Sequence, residues 1–307
     1  MSAATDPLGA QDGRRPGWSV FRAALAEAGF RPTKTLGQNF LVDPNAARSI
    51  ALDAGLAAGA RVLEIGAGCG FLTLHLAELG LEVLAVEIDA RLFAVARRLL
   101  AAHERVRWLH LDALAGKHDL DPELCRSLPP SGEWHVVANL PYSISGPLLV
   151  LLARLPNPPR TLTVLVQEEL ARRVASEPGQ AEWGALGARL RLGYRAALGR
   201  PVGAQLFWPR PRVASRVLRL ERVPASEAVP DAADLDPLVE HLFQQRRKQV
   251  LPLLARALGG RAAAAELLAR LGLDPTARPE DLPLAGLWAL ARSEAWRGRP
   301  RKDPLEA

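Results

Sequence analysis

The chain has 307 residues, 49% of them hydrophobic and 23% charged, with a formal net charge of +6. The length exceeds what one compact domain usually needs, and the composition excludes a disordered or fibrous chain. The only cysteines, Cys69 and Cys125, lie in unrelated contexts, which excludes a disulfide framework and a Cys-x-x-Cys zinc site; no apolar run reaches the roughly 20 residues of a membrane span, so a cytoplasmic protein is expected.

Residues 1–17 are mostly polar, lack the apolar core of a secretory signal, and read as a disordered extension. From 61 to about 170, apolar runs alternate with amphipathic stretches. Runs at 61–65, 82–86, 106–110, 134–138 and 161–166 predict buried strands, the first four followed by turn residues, and 71–79 and 90–102 predict helices between them. A repeating β-α unit implies a mainly parallel sheet with helices on both faces. Residues 201–211 are turn-rich, and 215–220 alternate as an antiparallel or edge strand does. The Ala/Pro/Asp-rich stretch 224–236 predicts a linker, followed by helical spacing over 238–258, 262–271 and 284–295. The expected division is a catalytic domain over 18–224, a helical domain over 225–296 and a tail over 297–307.

The positive charge is concentrated. Residues 170–223 hold eleven arginines against three glutamates, a net of +8, which leaves −2 for the remainder. That distribution suits a partner with a phosphate backbone, because each neutralised phosphate releases condensed counterions.

Glu64-Ile-Gly66-Ala-Gly68-Cys-Gly70 follows the first predicted strand and opens a helix. Glycine is needed there where the backbone turns sharply or is closely approached. The third glycine stands four residues after the first, so the loop misses the dinucleotide-binding fingerprint. Its Glu-x-Gly-x-Gly-x-Gly pattern resembles instead the cofactor loop of class I S-adenosylmethionine methyltransferases. Glu87, 21 residues after Gly66, ends the second strand, where a carboxylate accepts both ribose hydroxyls of an adenosine. Asp112 follows the third strand, where that class holds an acid against the adenine amine.

Asn139-Leu140-Pro141-Tyr142 follows the fourth strand. Alone it reads as a turn; after a matching glycine loop it reads as a site. An adenine N6 amine is a poor nucleophile because its lone pair is delocalised into the ring. Two acceptors aimed at its hydrogens, the Asn139 side-chain oxygen and the Leu140 carbonyl, localise that pair as the transition state forms. Pro141 fixes its own φ and holds Leu140 extended. Tyr142 offers a face on which an unstacked base can rest. No metal is called for.

These residues resemble the ribosomal RNA adenine N6-dimethyltransferase family, in its bacterial small-subunit branch. Lys34-Thr-Leu-Gly37-Gln38-Asn39-Phe40-Leu41 is similar to the family's K-x-L-G-Q-N-F-L, Asn139–Ser145 to N-L-P-Y-x-I-S, Phe207–Ser215 to F-x-P-x-P-x-V-x-S, and Phe243–Lys248 to F-x-x-R-R-K. The likeness runs from about residue 20 to 290. It implies an α/β fold: a Rossmann-like, seven-stranded, mainly parallel sheet with a small all-helical C-terminal domain. It implies S-adenosylmethionine as cofactor, with S-adenosylhomocysteine as product, held by Asn39, Leu41, Gly66, Gly68, Glu87, Asp112 and Asn139. It also implies that Phe207 closes on the base opposite Tyr142, and that Arg246, Arg247 and Lys248 contact RNA or the catalytic domain. The implied partner is small-subunit (16S) ribosomal RNA in an assembling 30S subunit, bound by a monomer. Ala67, Glu168, Trp183, Gln249 and Pro252 depart from the family pattern and bear on RNA contacts rather than on the chemistry. Two other functions fit less well: a large-subunit methylase of the macrolide-resistance type, and an RNA-binding assembly or transcription factor without turnover. Protein glutamine methylation, which uses Asn-Pro-Pro-Tyr, is disfavoured by leucine at 140.

Overall fold

The computed structural model describes residues 17–33, 37–116, 119–224 and 232–299. The disordered extension expected up to Pro16, the Lys34, Thr35 and Leu36 portion of the first signature, most of the expected linker and the end of the tail lie outside them. The strands are β1 (Phe40–Leu41), β2 (Arg61–Ile65), β3 (Glu82–Glu87), β4 (Val106–His110), β5 (His135–Asn139), β6 (Thr161–Gln167), β7 (Tyr194–Val202), β8 (Phe207–Trp208) and β9 (Ser215–Arg222). The helices are α1 (Trp18–Glu27), α2 (Pro44–Asp53), α3 (Phe71–Glu78), α4 (Ala90–Leu99), α5 (Pro122–Ser127), α6 (Ser145–Ala153), α7 (Glu168–Ala175), α8 (Ala185–Leu190), α9 (Ala232–Phe243), α10 (Val250–Ala257), α11 (Arg261–Arg270), α12 (Leu284–Arg292) and α13 (Glu294–Arg297).

Seven strands form one sheet in the order β4-β3-β2-β5-β6-β9-β7. Neighbours from β4 to β6 are parallel, and β9 runs antiparallel to β6. Strands β3 and β6 are buried along almost their whole length, so both faces are covered and their sequences are nearly continuous apolar runs. Strand order reverses between β2 and β5. The crevice beyond the carboxyl ends of such a pair is where open α/β sheets bind ligands, and both sequence motifs leave the sheet there: the glycine loop from β2 and Asn139 from β5. Helix α4 starts where Asp89 accepts from the amides of Arg91 and Leu92, which fixes the chain just past Glu87.

The chain divides into two compact units, one of Met1–Ala171 with Ala196–Arg222, the other of Arg172–Arg195 with Val223–Ala307. A single boundary at 224 is therefore not how it divides. Trp183, Ala188 and Leu192 bury their side chains with Leu235, Leu238, Val239 and Leu242, and Arg189 pairs with Asp236 at 3.0 Å, so 172–195 packs with the later helices. Two further expectations are corrected. Helix α9 begins at Ala232, inside the stretch read as linker, and the helix expected over 238–258 is broken between Phe243 and Val250. Pro252 stands in the first turn of the new helix, where its missing N–H and its ring, which would clash with the Lys248 carbonyl, are tolerated.

Candidate active site

The glycine loop and the Asn139 turn line one cleft, together with Gly37, Gln38, Asn39, Phe40, Glu87, Ile88, Leu92, Leu140, Pro141 and Tyr142. Gly66 has φ +73° and Gly68 φ +61°. A Cβ at Gly66 would stand 3.1 Å from the Pro141 ring, and one at Gly68 3.1 Å from the ring of Phe40. Beyond the turn itself, these glycines let the loop nest against the two other segments of the cleft.

Glu87 is 4% exposed. Its Oε2 accepts from the Gly68 amide at 2.7 Å and its Oε1 from the Asp89 amide at 2.8 Å. A carboxylate offers about four lone-pair sites, so each oxygen retains one for a ligand hydroxyl. Burial shifts its pKa upward, with the Asp89 and Gly68 amides opposing the rise. Ile88, next to it, is 44% exposed and gives the cleft an apolar surface. A carboxylate for a diol beside an aliphatic side chain and two close-approach glycines fits an adenosine-containing cofactor.

Asn139 ends β5. Its Nδ2 donates to the Asn39 carbonyl at 2.9 Å, and Asn39 Nδ2 donates to the Gly37 carbonyl at 3.0 Å. The carboxamide is thereby oriented: its donor end is taken, and Oδ1 accepts nothing among the described residues. The Leu140 amide donates to the Leu165 carbonyl at 3.1 Å, and Pro141 O accepts from Ile144 N and from Ser145 Oγ at 2.8 Å, which pins the turn to β6 and to the start of α6. The Leu140 carbonyl receives no hydrogen bond among the described residues. Both acceptors needed for an amine are therefore available on residues that line one cleft.

Three expected residues lie elsewhere. Leu41 and Phe207 are each 4% exposed and pair in a two-stranded antiparallel sheet, with Phe40 opposite Trp208. Asp112 is exposed, its Oδ1 accepting from the Leu114 amide at 2.9 Å. None of the three lines the cleft. Conversely, Gly37, Gln38 and Phe40 line it and stood in the first signature without an assigned role, while Ile88 and Leu92 carried no signal beyond their proximity to Glu87.

Glu64, at the head of the loop, is 1% exposed and its Oε2 has no hydrogen-bond partner among the described residues. Burial pushes its acid up to about 8, the Thr73 hydroxyl opposing and the Glu87 carboxylate adding to the rise. The unfolded chain releases that proton near 4.5 while the fold keeps it, so the fold loses stability as pH rises from 4.5 to about 8. Glu64→Gln is therefore expected to flatten the pH dependence of the melting temperature across that window, with its largest stabilisation at the upper end. Thermal unfolding of both proteins at the two ends checks this, and parallel curves would contradict it.

The arginine-rich segment is partly spent inside the protein. Within the first unit Arg200 grips Asp53 through two nitrogens, at 2.6 and 2.7 Å, and Arg216 pairs with Glu168 at 3.4 Å. Within the second, Arg189 and Arg191 pair with Asp236 and Glu177. Arg210 and Arg212, between β8 and β9, are exposed and have no such partner among the described residues.

A family model described as ribosomal RNA adenine dimethylase matches residues 29–285. The "Ribosomal RNA small subunit methyltransferase A" of Acidothermus cellulolyticus is 38% identical over 299 residues, covering 95% of this chain and 97% of that protein. Among solved structures, a dimethyladenosine transferase from Plasmodium falciparum superposes with a TM-score of 0.68 at 20% identity, covering 81% of this chain and 94% of the other. The 23S rRNA methyltransferase ErmE gives 0.59 at 25% identity, covering 83% and 100%. The sheet is thus that of a class I methyltransferase, and such enzymes use S-adenosylmethionine. With the family model spanning residues 29–285 and a relative 38% identical over 95% of the chain, this protein belongs to the ribosomal RNA adenine dimethylase family.

Proposed function

We propose that this protein dimethylates N6 of two adjacent adenines near the 3′ end of small-subunit (16S) ribosomal RNA, on an assembling 30S subunit, as a cytoplasmic monomer. The observation that carries this reading is the Asn139 carboxamide, whose Nδ2 is held by the Asn39 carbonyl while Oδ1 and the Leu140 carbonyl remain as acceptors. S-adenosylmethionine, when bound, supplies a methyl group already attached to a good leaving group. Glu87 would hold its ribose, with Gly66, Gly68 and Asn39 around it. Asp112 and Leu41 join that set only if the exposed carboxylate and the buried strand move toward the cleft. Oδ1 of Asn139 and the Leu140 carbonyl accept from the amine hydrogens, so the nitrogen lone pair points at the methyl carbon. Attack on the methyl carbon would form the N–C bond as the S–C bond breaks, with its electron pair going to sulfur and the surplus N6 proton to solvent. Alignment supplies much of the rate.

Tyr142 is the platform for the base, which must leave its stack to enter. Phe207 closes on the opposite face once RNA is bound, a role that requires β8 to shift because its ring is buried. Arg210 and Arg212 meet phosphates beside the cleft.

Incubating the protein with labelled S-adenosylmethionine and under-methylated small subunits is expected to yield N6,N6-dimethyladenosine, with large subunits unlabelled. Label in the large subunit instead would turn the reading to the resistance-type methylase, and no label in RNA would end it.

A further inference from the structure

Tyr142 and Ser215 are 73 residues apart in sequence, yet the Tyr142 hydroxyl lies 2.5 Å from Ser215 Oγ. Ser215 is fully buried, and it opens β9 opposite Gln167 at the carboxyl end of β6. The backbone around it is fixed on both sides. Glu168 N donates to the Ala214 carbonyl at 2.9 Å, while Arg216 pairs with Glu168 and donates to the Gly199 carbonyl at 3.2 Å. The hydroxyl of Ser215 is thus a rigid anchor.

Tyr142, by contrast, is only partly buried and stands at the cleft on a turn. A tyrosine side chain has two rotatable bonds. Held at its Cα alone, the ring can swing; held at its hydroxyl as well, it cannot. Burial keeps the phenol protonated, since the Tyr142 acid lies above its ordinary value despite the opposing bond from Ser215. The bond is accordingly between two neutral hydroxyls, and it leaves the ring face uncommitted.

We propose that Ser215 is a positioning residue for base capture: it locks the Tyr142 ring at the angle a flipped adenine requires, before RNA arrives. This rests on Tyr142 being the stacking platform. Ser215 touches neither base nor cofactor in this scheme and acts only through the ring. Preorganisation of this kind shows in methyl transfer to RNA and not in cofactor binding. The same bond also ties the Asn139–Tyr142 turn to the segment that carries Phe207, Arg210 and Arg212, so the two walls that would enclose the base share one hydrogen bond.

The test uses the full chain with Ser215→Ala, Tyr142→Phe, the double variant and Tyr142→Ala. Ser215→Ala and Tyr142→Phe remove the same bond from opposite ends, so a folding defect in the buried variant leaves the second one readable. Each single variant is expected to lower kcat/KM on under-methylated small subunits about five- to twenty-fold, with S-adenosylmethionine affinity by calorimetry unchanged within about twofold. The double variant should be no worse than either single, because both act on one interaction. Multiplying effects, or singles within twofold of the parent while Tyr142→Ala is severely impaired, would overturn the role of Ser215 and leave the platform standing. An unimpaired Tyr142→Ala would remove the platform and Ser215 with it.

Discussion

Asn139→Ala is expected to reduce single-turnover methylation of under-methylated small subunits by about 10²- to 10³-fold, the usual cost of removing one preorganised group from a transition state. The substituted side chain loses Oδ1, the acceptor that polarises the amine, and also the donor that grips the Asn39 carbonyl. Asn139→Asp separates these two contributions. It retains an acceptor but replaces the donor with a second carboxylate oxygen, 2.9 Å from the Asn39 carbonyl oxygen, where the two repel. Aspartate should therefore fail to rescue. Activity within threefold of the parent in the aspartate variant would show that orientation by Asn39 is immaterial, and the same result for alanine would remove Asn139 from the chemistry. Whether ribosome assembly proceeds with the alanine variant distinguishes a need for binding from a need for methylation.

Glu87→Ala should weaken S-adenosylmethionine binding by about 10- to 10³-fold, since hydrogen bonds to charged groups contribute roughly 1.5–3 kcal/mol each. The carboxylate holds the Gly68 and Asp89 amides, so its removal loosens the glycine loop as well as the ribose contact. Glu87→Gln discriminates further. Its NH2 end must face one of those two amide donors, so glutamine should recover little of the lost affinity. Calorimetry with the cofactor measures both, and an unchanged affinity in the alanine variant would take Glu87 out of the ribose assignment.

The sequence carries these positions legibly because buried parallel strands leave a strong trace. The run 83–86 is apolar throughout since β3 is covered on both faces, and Glu87 is conspicuous because it interrupts that run where the strand stops. Asn139 is marked in the same way at the end of β5. Other elements left no trace. Strand β8 has two residues, exists only by pairing with β1 more than 160 positions earlier, and buries the ring of Phe207, so its surroundings read as turn. The membership of 172–195 was equally hidden, because an apolar helix face does not say which core it will join.

By itself the sequence determined the succession of strands β2 to β6 and β9 but not β1, β7 or β8, the two loops that leave β2 and β5, and the chemical types those loops present: glycine, acid, amide, aromatic. Each is set locally, by periodicity and by where an apolar run ends. Only the tertiary structure decided which end of the Asn139 amide is committed, that the loop glycines press on Pro141 and Phe40, and that a buried serine grips Tyr142. Those facts depend on contacts between segments far apart along the chain, and such contacts follow from how whole elements pack, which no local pattern of residues encodes.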